Sequence, residues 1–221
     1  MKLGRLSDIS LKWKLLIPFL FLASMGATAL FMVSYRFQAS LIYVNEAERL
    51  RNQYRYFLNE IDFKTNMAMS LACLVARNAD VAEAFAKRDR KRLIDLLHPA
   101  YQKLHERFGV KQFHFHVPPA TSFLRLHALD EYGDSMEAYR HTINKARETG
   151  TSVGGLEWGV FGFGIRSVVP VFHEGKQVGT VEFGLSFEEP LLEEFKKSYG
   201  SDLTLYVHGG AGDNGVKVFA S

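Results

Sequence analysis

The sequence GIRSVVPVFHEGKQVGTVEFGLSF, at residues 164–187, predicts a long β-hairpin. Its strands are expected at 164–172 and 176–187. They are joined by a turn in which Gly175 supplies a backbone conformation that other residues resist. Apolar and polar residues alternate along both strands, so the apolar side chains share one face, while Arg166 and Glu182 lie on the other. We therefore expect a sheet with one face in the hydrophobic core and charged groups on the opposite face.

Outside the hairpin, alternating patterns predict three more strands and helical patterns predict the helices between them. The strands are expected at 110–117, 122–127 and 152–158. The helices are expected at 81–85, 88–97, 130–148 and 188–199, with a further strand at 202–207. Short connections favour an antiparallel sheet, whose apolar face a long N-terminal helix must cover. The predicted fold class is α+β, with a PAS-like, five-stranded antiparallel sheet packed on that helix.

An uncharged run of 21 residues, LLIPFLFLASMGATALFMVSY at 15–35, predicts a transmembrane helix. Basic residues outnumber acidic ones before it, so the positive-inside rule places residues 1–14 in the cytoplasm. We expect the protein in the inner (cell) membrane, with everything after about residue 36 in the periplasm or outside the cell. A cleaved signal peptide is the alternative, because Ala27-Thr28-Ala29 has the small-residue pattern of a cleavage site. The apolar run continues to Val33, which favours the anchor.

Beyond the membrane, apolar residues recur at spacings of three and four and predict one continuous helix that extends the transmembrane segment. They are Ala47, Leu50, Tyr54, Phe57, Ile61, Thr65, Ala68, Ala72, Val75 and Ala79. The first part of this stripe, 47–61, lies where little of the sheet can cover it. We therefore expect a parallel homodimer through this part of the helix.

The composition excludes several classes of protein. A chain of 221 residues that is 47% hydrophobic can bury a substantial core, and a formal charge of +3 without a basic tract argues against nucleic-acid binding. The single cysteine, Cys73, excludes an intrachain disulfide. The sequence has no nucleophile elbow, no zinc-protease motif and no phosphate-binding loop. We therefore expect no enzymatic activity and no cofactor.

Several segments resemble the double Cache sensor domains of bacterial chemoreceptors and sensor kinases. They are the membrane anchor that leads into one long helix, the FHFH strand followed by PPATSFLRLH, the arginine-bearing strand IRSVVPVF and the closing EGKQVGTVEFGLSF. The resemblance covers about residues 44–207. It implies a ligand-binding module at 36–199, with 200–221 opening a membrane-proximal module that is incomplete here.

Eight side chains are candidates for a ligand-binding site, because charged groups on a covered sheet face must meet solvent, each other or a ligand. They are His114, His116, Arg125, Tyr139, Arg140, Trp158, Arg166 and Glu182. Guanidinium groups match carboxylates bidentately, so we expect a small anionic ligand such as a carboxylate. The helix expected at 130–148 would cover it.

Two other interpretations of these residues stay open. Arg166 and Glu182 can form a structural ion pair, with the histidines as satisfied core groups. His114 and His116, with His141 or Glu182, can also bind a divalent transition metal. The predicted function is the sensor domain of a chemoreceptor-type (methyl-accepting) signal transducer. The alternatives are the sensor of a histidine kinase or cyclic-nucleotide enzyme, and a periplasmic metal sensor.

Overall fold

The computed structural model describes residues 10–159, 162–187, 189–202, 204–208 and 216–220. It divides into two compact units, Met1–Tyr54 and Arg55–Ser221. The helices are α1 (Leu11–Ala76), α2 (Ala79–Ala86), α3 (Arg90–Phe108), α4 (His141–Thr149) and α5 (Glu189–Tyr199). The strands are β1 (Val110–Val117), β2 (Thr121–Arg125), β3 (Val153–Gly159), β4 (Gly162–His173), β5 (Lys176–Ser186), β6 (Thr204–His208) and β7 (Val216–Ala220).

The described part of the first unit is the N-terminal portion of α1. An 18-residue window of this helix reaches a mean hydropathy of 2.1, and none of the window is buried. Among the described residues, α1 is the one helix that is long and apolar enough to cross a membrane. This apolar helix fits the predicted membrane anchor.

Five antiparallel strands form the main sheet of the second unit, in the order β2-β1-β5-β4-β3. The predicted hairpin is β4 and β5, which pair from Gly164 and Ser186 to His173 and Lys176 at the turn. At their turn, Glu174 and Gly175 have φ angles of 48° and 75°, the two positive angles of a type I′ turn. The α+β class and the five-stranded antiparallel sheet are confirmed.

The apolar face of the sheet packs on the last part of α1 and on α2 and α3. Ala68 and Ala72 of α1 are fully buried there, and these small side chains let the helix approach the strands closely. The hydroxyl of Ser167 in β4 donates to the carbonyl of Thr65 in α1 at 2.8 Å. The helix that covers the core is therefore also hydrogen-bonded to the central hairpin.

Two helix ends differ from the prediction. The apolar stripe up to Ala79 spans two helices, because α1 ends at Ala76 and Asn78 caps α2 by accepting a bond from the Val81 N–H at 3.2 Å. α3 continues through Pro99 to Phe108, beyond its expected end at 97. It stops where Gly109 adopts a left-handed conformation with φ 67°.

The predicted helix at 130–148 is wrong over its first part, because α4 begins only at His141. We call residues 126–140 the edge loop. Its backbone pairs beside β2: the Ser122 N–H donates to the carbonyl of Asp134, and the Met136 N–H donates to that of Ala120, both at 2.9 Å. Tyr139 and Arg140 therefore lie in a loop that precedes α4.

β6 and β7 form a separate two-stranded antiparallel sheet. β6 begins at residue 204, two residues after its expected start, and the glycine-rich segment 209–215 lies outside the described residues. That residues 200–221 open a second module stays a prediction.

Candidate functional site

The face of the sheet opposite α1 is polar in its centre. Strand register places His114 of β1 opposite Glu182 of β5, and Arg166 of β4 opposite Gly184 of β5. These side chains share a face because residues two apart in a strand point the same way. The edge loop and α4 cover this face through a small apolar cluster made of Ala120, Met136, Ile143, Ala146 and Val168.

Glu182 lies at the centre of this face and is fully buried. Its Oε1 accepts a hydrogen bond from Nη1 of Arg166 at 2.9 Å, and its Oε2 accepts one from Nη2 of Arg140 at 2.7 Å. Burial opposes ionisation of this carboxyl group, but the two guanidinium groups outweigh that effect and hold its pKa below the ordinary value. Glu182 is therefore an ionised carboxylate whose two oxygens are both bonded.

Arg140 links Glu182 to a second carboxylate. Its Nε donates to Oε2 of Glu157 at 2.8 Å, and its side chain is buried. Glu157 also accepts hydrogen bonds from the backbone N–H and the hydroxyl of Thr142, at 2.8 and 2.7 Å, which ties the start of α4 to β3. We call Arg140, Glu157, Arg166 and Glu182 the ion network. It joins two cations to two anions and is neutral as a whole.

Arg166 differs from Arg140 because part of its guanidinium group is unpaired. Its bonds to Glu182 and to the side-chain oxygen of Gln112 both leave from Nη1, whereas Nε is buried without a hydrogen-bond partner. Nε and Nη2 form the edge to which a carboxylate can bind side-on. Gly159 makes room for this edge, since a Cβ at that position would collide with Nη2. A buried N–H without an acceptor is unfavourable, so this edge is a candidate position for a ligand group.

His114 and His116 are buried beside the ion network. Nε2 of His114 lies 2.8 Å from the Ser122 hydroxyl, and Nδ1 of His116 lies 3.0 Å from the Thr180 hydroxyl. Burial lowers the pKa of His114 well below its ordinary value and lowers that of His116 to about 3. Both imidazoles are therefore neutral at pH 7.

Three groups at this position could ligate a metal ion. The nearest ligand atoms of His114, His116 and Glu182 lie within 4.8 Å of one another. A divalent cation would, however, enter next to the guanidinium groups of Arg140 and Arg166, which already neutralise Glu182. The electrostatics therefore oppose a cation at this position.

One cavity adjoins the ion network, and a second cavity lies next to the first. The inner cavity, of about 50 Å³, is bounded by Gln112, Met136, Gly159, Arg140 and Arg166. The outer cavity, of about 520 Å³, lies along the edge loop from Ala128 to Asp134. Arg125, His127 and Tyr139 line both cavities and form the wall between them. The inner cavity has room for a group such as a carboxylate, and the outer one for the body of a small molecule.

Arg125 is held in this wall by a bidentate ion pair. Its Nη1 and Nη2 donate to the two carboxylate oxygens of Asp134, at 2.8 and 2.7 Å. These bonds hold the pKa of Asp134 below its ordinary value. Arg125 thus fixes the edge loop against β2.

The structure brings most of the predicted site residues together. His114, His116, Arg140, Arg166 and Glu182 meet at the ion network, and Arg125 and Tyr139 line the cavities. Trp158 lies elsewhere, because in β3 it is Glu157 and Gly159 that point toward the ion network. The Trp158 ring instead lies 5.0 Å from that of Phe163.

Sequence reasoning missed Glu157, Thr142 and His127. The strand pattern of β3 could have indicated Glu157, since a glutamate inside a predicted strand of a covered sheet needs a partner. The sequence held no such signal for His127 and Thr142. They lie near the start of the edge loop and just after its end, so their place in the site depends on the path of that loop.

Several solved sensor domains resemble this chain in structure. The sensor domain of the histidine kinase DctB from Vibrio cholerae matches with a TM-score of 0.53 and 12% identity, over 70% of this chain and 59% of that one. A domain of a putative sensory box/GGDEF family protein from Vibrio parahaemolyticus matches with a TM-score of 0.51 and 14% identity, over 69% and 64%. The sensor domain of Escherichia coli DcuS has a TM-score of 0.49 and 18% identity, over 63% and 97%. The two Vibrio domains show a shared fold, and this chain spans about three fifths of their length.

Comparison with curated proteins found no match. Residues 43–217 match the family described as the double sensory domain of two-component sensor kinase. The match covers most of the chain and includes α1 from residue 43 onward, the five-stranded sheet and the ion network. The chain therefore belongs to this family of double Cache sensor domains.

Proposed function

We propose that the protein is a membrane-anchored, extracytoplasmic sensor that binds a small molecule through a carboxylate or similar anionic group. Residues 15–35 anchor it in the inner membrane, residues 36–199 form the sensing module and residues 200–221 begin a second module. Membership of a sensory-domain family and the apolar helix α1 support this assignment. The site binds its ligand and carries out no reaction on it.

The observation that carries the proposal is the unpaired edge of Arg166 beside the inner cavity. Nε of Arg166 is buried and lacks an acceptor. The other two guanidinium groups at the site are already engaged, Arg125 by Asp134 and Arg140 by two glutamates. A ligand carboxylate would satisfy the free edge of Arg166 with two parallel charge-assisted bonds.

The route from the ligand to α1 is short. Arg166 and Ser167 are consecutive residues of β4 and point to opposite faces of the sheet. The hydroxyl of Ser167 bonds to the carbonyl of Thr65 in α1. A shift of β4 on ligand binding would therefore reach α1 directly, and we propose that the signal leaves along this helix.

The family description names two-component sensor kinases. It supports a histidine-kinase output, which the sequence left as an alternative, more than the chemoreceptor output that the sequence favoured. The ligand site and its link to α1 would serve either output.

The test measures binding of short monocarboxylates, dicarboxylates and amino acids to the full chain in detergent, by thermal shift and then by titration calorimetry. We expect at least one carboxylate to bind, and Arg166→Lys to weaken its binding by about 10- to 100-fold. The lysine keeps a cation near Glu182 but cannot offer the side-on edge. Arg92→Lys, at an exposed position, is the matched control. Unchanged binding in Arg166→Lys, or no binding of any carboxylate, would refute the proposal.

A further inference from the structure

A further cavity, of about 650 Å³, lies where the end of β4 meets the junction between α1 and α2. We call it the junction cavity. It shares no lining residue with the inner and outer cavities beside the edge loop. Its volume is within the range of about 300 to 1,000 Å³ that is usual for small-molecule sites. The junction cavity is therefore a separate place at which a small ligand can bind.

Small side chains leave this space open. The helical junction contributes Ala76, Ala79 and Ala82 to the lining, and the segment that leads into β3 contributes Gly150 and Ser152. Ala79 and Ser152 are exposed, so the cavity opens to solvent beside them. A ligand can therefore enter without unfolding of the sheet.

The wall formed by β4 has no strand beside it. β3 pairs with β4 only as far as Val168, so within the described chain residues 169–173 have no strand partner on that side. Such an edge can add a strand from another chain, but Pro170 has no N–H to donate, and proline at an edge opposes strand addition. We therefore expect a compact molecule in the cavity, in preference to an extended peptide.

Phe172 supplies an aromatic wall. Val169 and Val171 of the same strand are buried, whereas 47% of the Phe172 surface is exposed. The ring lies next to Gly150, because a Cβ at that glycine would lie 3.8 Å from Cζ of the ring. An exposed ring beside a space lined by alanines favours a flat aromatic group that stacks on it.

Arg77 supplies a cation. It lies between α1 and α2, and its guanidinium group has no hydrogen bond or ion pair with another residue of the described chain. Glu83, an acidic residue of the lining, is already paired with Lys87. Ser152 and His173 add hydrogen-bond donors to the lining. The junction cavity therefore offers an anion one free guanidinium group and further donors.

Glu174 is the one acidic residue of the described lining that has no ion pair. It is exposed in the β4–β5 turn, where water screens its charge. A guanidinium group both bonds to carboxylates and stacks on aromatic rings, so Arg77 can contact both parts of an aromatic anion. Binding of an aromatic cation through Glu174 is the alternative that the experiment must separate.

We propose that the junction cavity is a second ligand site, which binds a small aromatic carboxylate with its ring against Phe172 and its carboxylate on Arg77. The occupant would contact both β4 and the end of α1, which are also joined by the hydrogen bond between Ser167 and Thr65. Binding there would hold these two elements together, and the site would be a second input to α1. The inference goes beyond the proposed function and uses no residue of the ion network.

Cys73 makes occupancy measurable in the native chain, because it is the single cysteine and lines the junction cavity. The rate of its alkylation by N-ethylmaleimide is measured on the full chain in detergent, with and without three probes. Phenylacetate, phenylacetamide and phenethylamine have similar shapes but carry a negative charge, no charge and a positive charge. We expect phenylacetate to slow alkylation at a concentration about tenfold lower than either of the other probes.

Three variants test the contacts, with titration calorimetry as a second measurement that does not depend on the thiol. Arg77→Gln should reduce the preference for phenylacetate over phenylacetamide to about twofold or less. Ala79→Leu fills the cavity from an exposed position and should weaken phenylacetate binding by about tenfold or more. Ala100→Leu, at an exposed position of α3 outside the lining, should leave it unchanged.

Several results would overturn the inference. They are the absence of phenylacetate binding, equal binding of the three probes, and tighter binding of phenethylamine than of phenylacetate. Phenylacetate binding that is unchanged in Ala79→Leu, or lost in Arg166→Lys, would show that the probe binds elsewhere. Arg166→Lys should weaken short aliphatic carboxylates but not phenylacetate, so failure of this inference and failure of the proposed function are distinguishable.

Discussion

The imidazole of His116 makes the stability of the protein depend on pH. Burial lowers its pKa from the ordinary 6.5 to about 3, so in the folded state it stays neutral down to acidic pH. In the unfolded chain the same histidine takes up a proton near pH 6.5. Between pH 6.5 and about 3 the unfolded state therefore binds more protons. The free energy of unfolding that the neutral, buried His116 contributes is therefore fully present above pH 6.5 and is lost as the pH falls.

Acidification from pH 7 to pH 5 should lower the free energy of unfolding by about 2 kcal/mol through His116 alone. This corresponds to a fall in the melting temperature of about 4 to 8 °C for a unit of this size. His116→Gln removes the titrating group but keeps a partner for Thr180, so this variant should lose less stability over the same range. Thermal unfolding at the two pH values measures the difference, with His141→Gln at an exposed position as the control. Equal losses in the native chain and in His116→Gln would contradict this account.

The alternation of side chains between the two faces of a strand was enough to predict which residues share the polar face. In a strand the side-chain direction depends only on position, so His114, His116, Arg166 and Glu182 could be grouped from the sequence. Their pairing could not, because Arg140 reaches Glu182 from a loop whose path depends on contacts distant in sequence. The sequence left open whether Arg166 and Glu182 form an ion pair. They do, and Arg166 still has an unpaired Nε.

β3 shapes the site at a position that has no side chain. Gly159 lies against the guanidinium group of Arg166, and a Cβ there would collide with it. Gly164 of β4 is also near this group, but a Cβ there would lie 3.4 Å from Nε, which needs only a small adjustment. The two glycines therefore allow a matched comparison.

Gly159→Ala should displace the guanidinium group and weaken carboxylate binding by about tenfold or more, because a charge-assisted bond is lost or distorted. The fold should persist, since the atoms that must move belong to the end of a flexible side chain. Gly164→Ala should change binding much less. Calorimetric titration with the carboxylate identified for the native chain measures both. Equal effects of the two variants on binding would show that the space at Gly159 has no special role.

The edge loop shows where helical periodicity fails as a predictor. Residues 130–140 carry a pattern compatible with a helix, but their backbone pairs beside β2 and includes Gly133 at φ 92°. That pairing joins residues 120–122 with residues 134–136 and depends on the tertiary structure. The end of α1 at Ala76 has a local cause in Asn78 and could have been recognised as a capping signal.

For the chain as a whole, the element order and the sheet were predictable, because each strand has a clear alternation and the connections are short. α1 is a single helix of 66 residues and continues from the apolar N-terminal segment into the predicted stripe. Leu50 and Tyr54 of this helix each have 62% of their surface exposed. Exposed apolar side chains on one helical stripe favour contact with a second copy of the chain, and the parallel homodimer stays a prediction.

Single cysteines at Leu50 or Tyr54, introduced after Cys73→Ala, should form disulfide-linked dimers in isolated membranes under mild oxidation. A parallel dimer places the same residue of both copies close together at the contact stripe. A cysteine at Glu48, on the opposite side of the helix, should crosslink weakly. Gel electrophoresis without reductant measures the dimer fraction. Equal crosslinking at Glu48 and Leu50, or none at Leu50 and Tyr54, would argue against this interface.

The neutral ion network also constrains how such a receptor can evolve. Loss of one member leaves a buried charge without its partner, at a cost of about 3 to 5 kcal/mol, which is comparable with the whole stability of many domains. Selection should therefore remove single substitutions at Glu157 or Glu182 before any new specificity arises. Asp130 and Glu131 are exposed and belong to no buried pair, so they are free to mutate. New ligand preferences can arise by drift in the edge loop, while descendants inherit the charged face of the sheet unchanged.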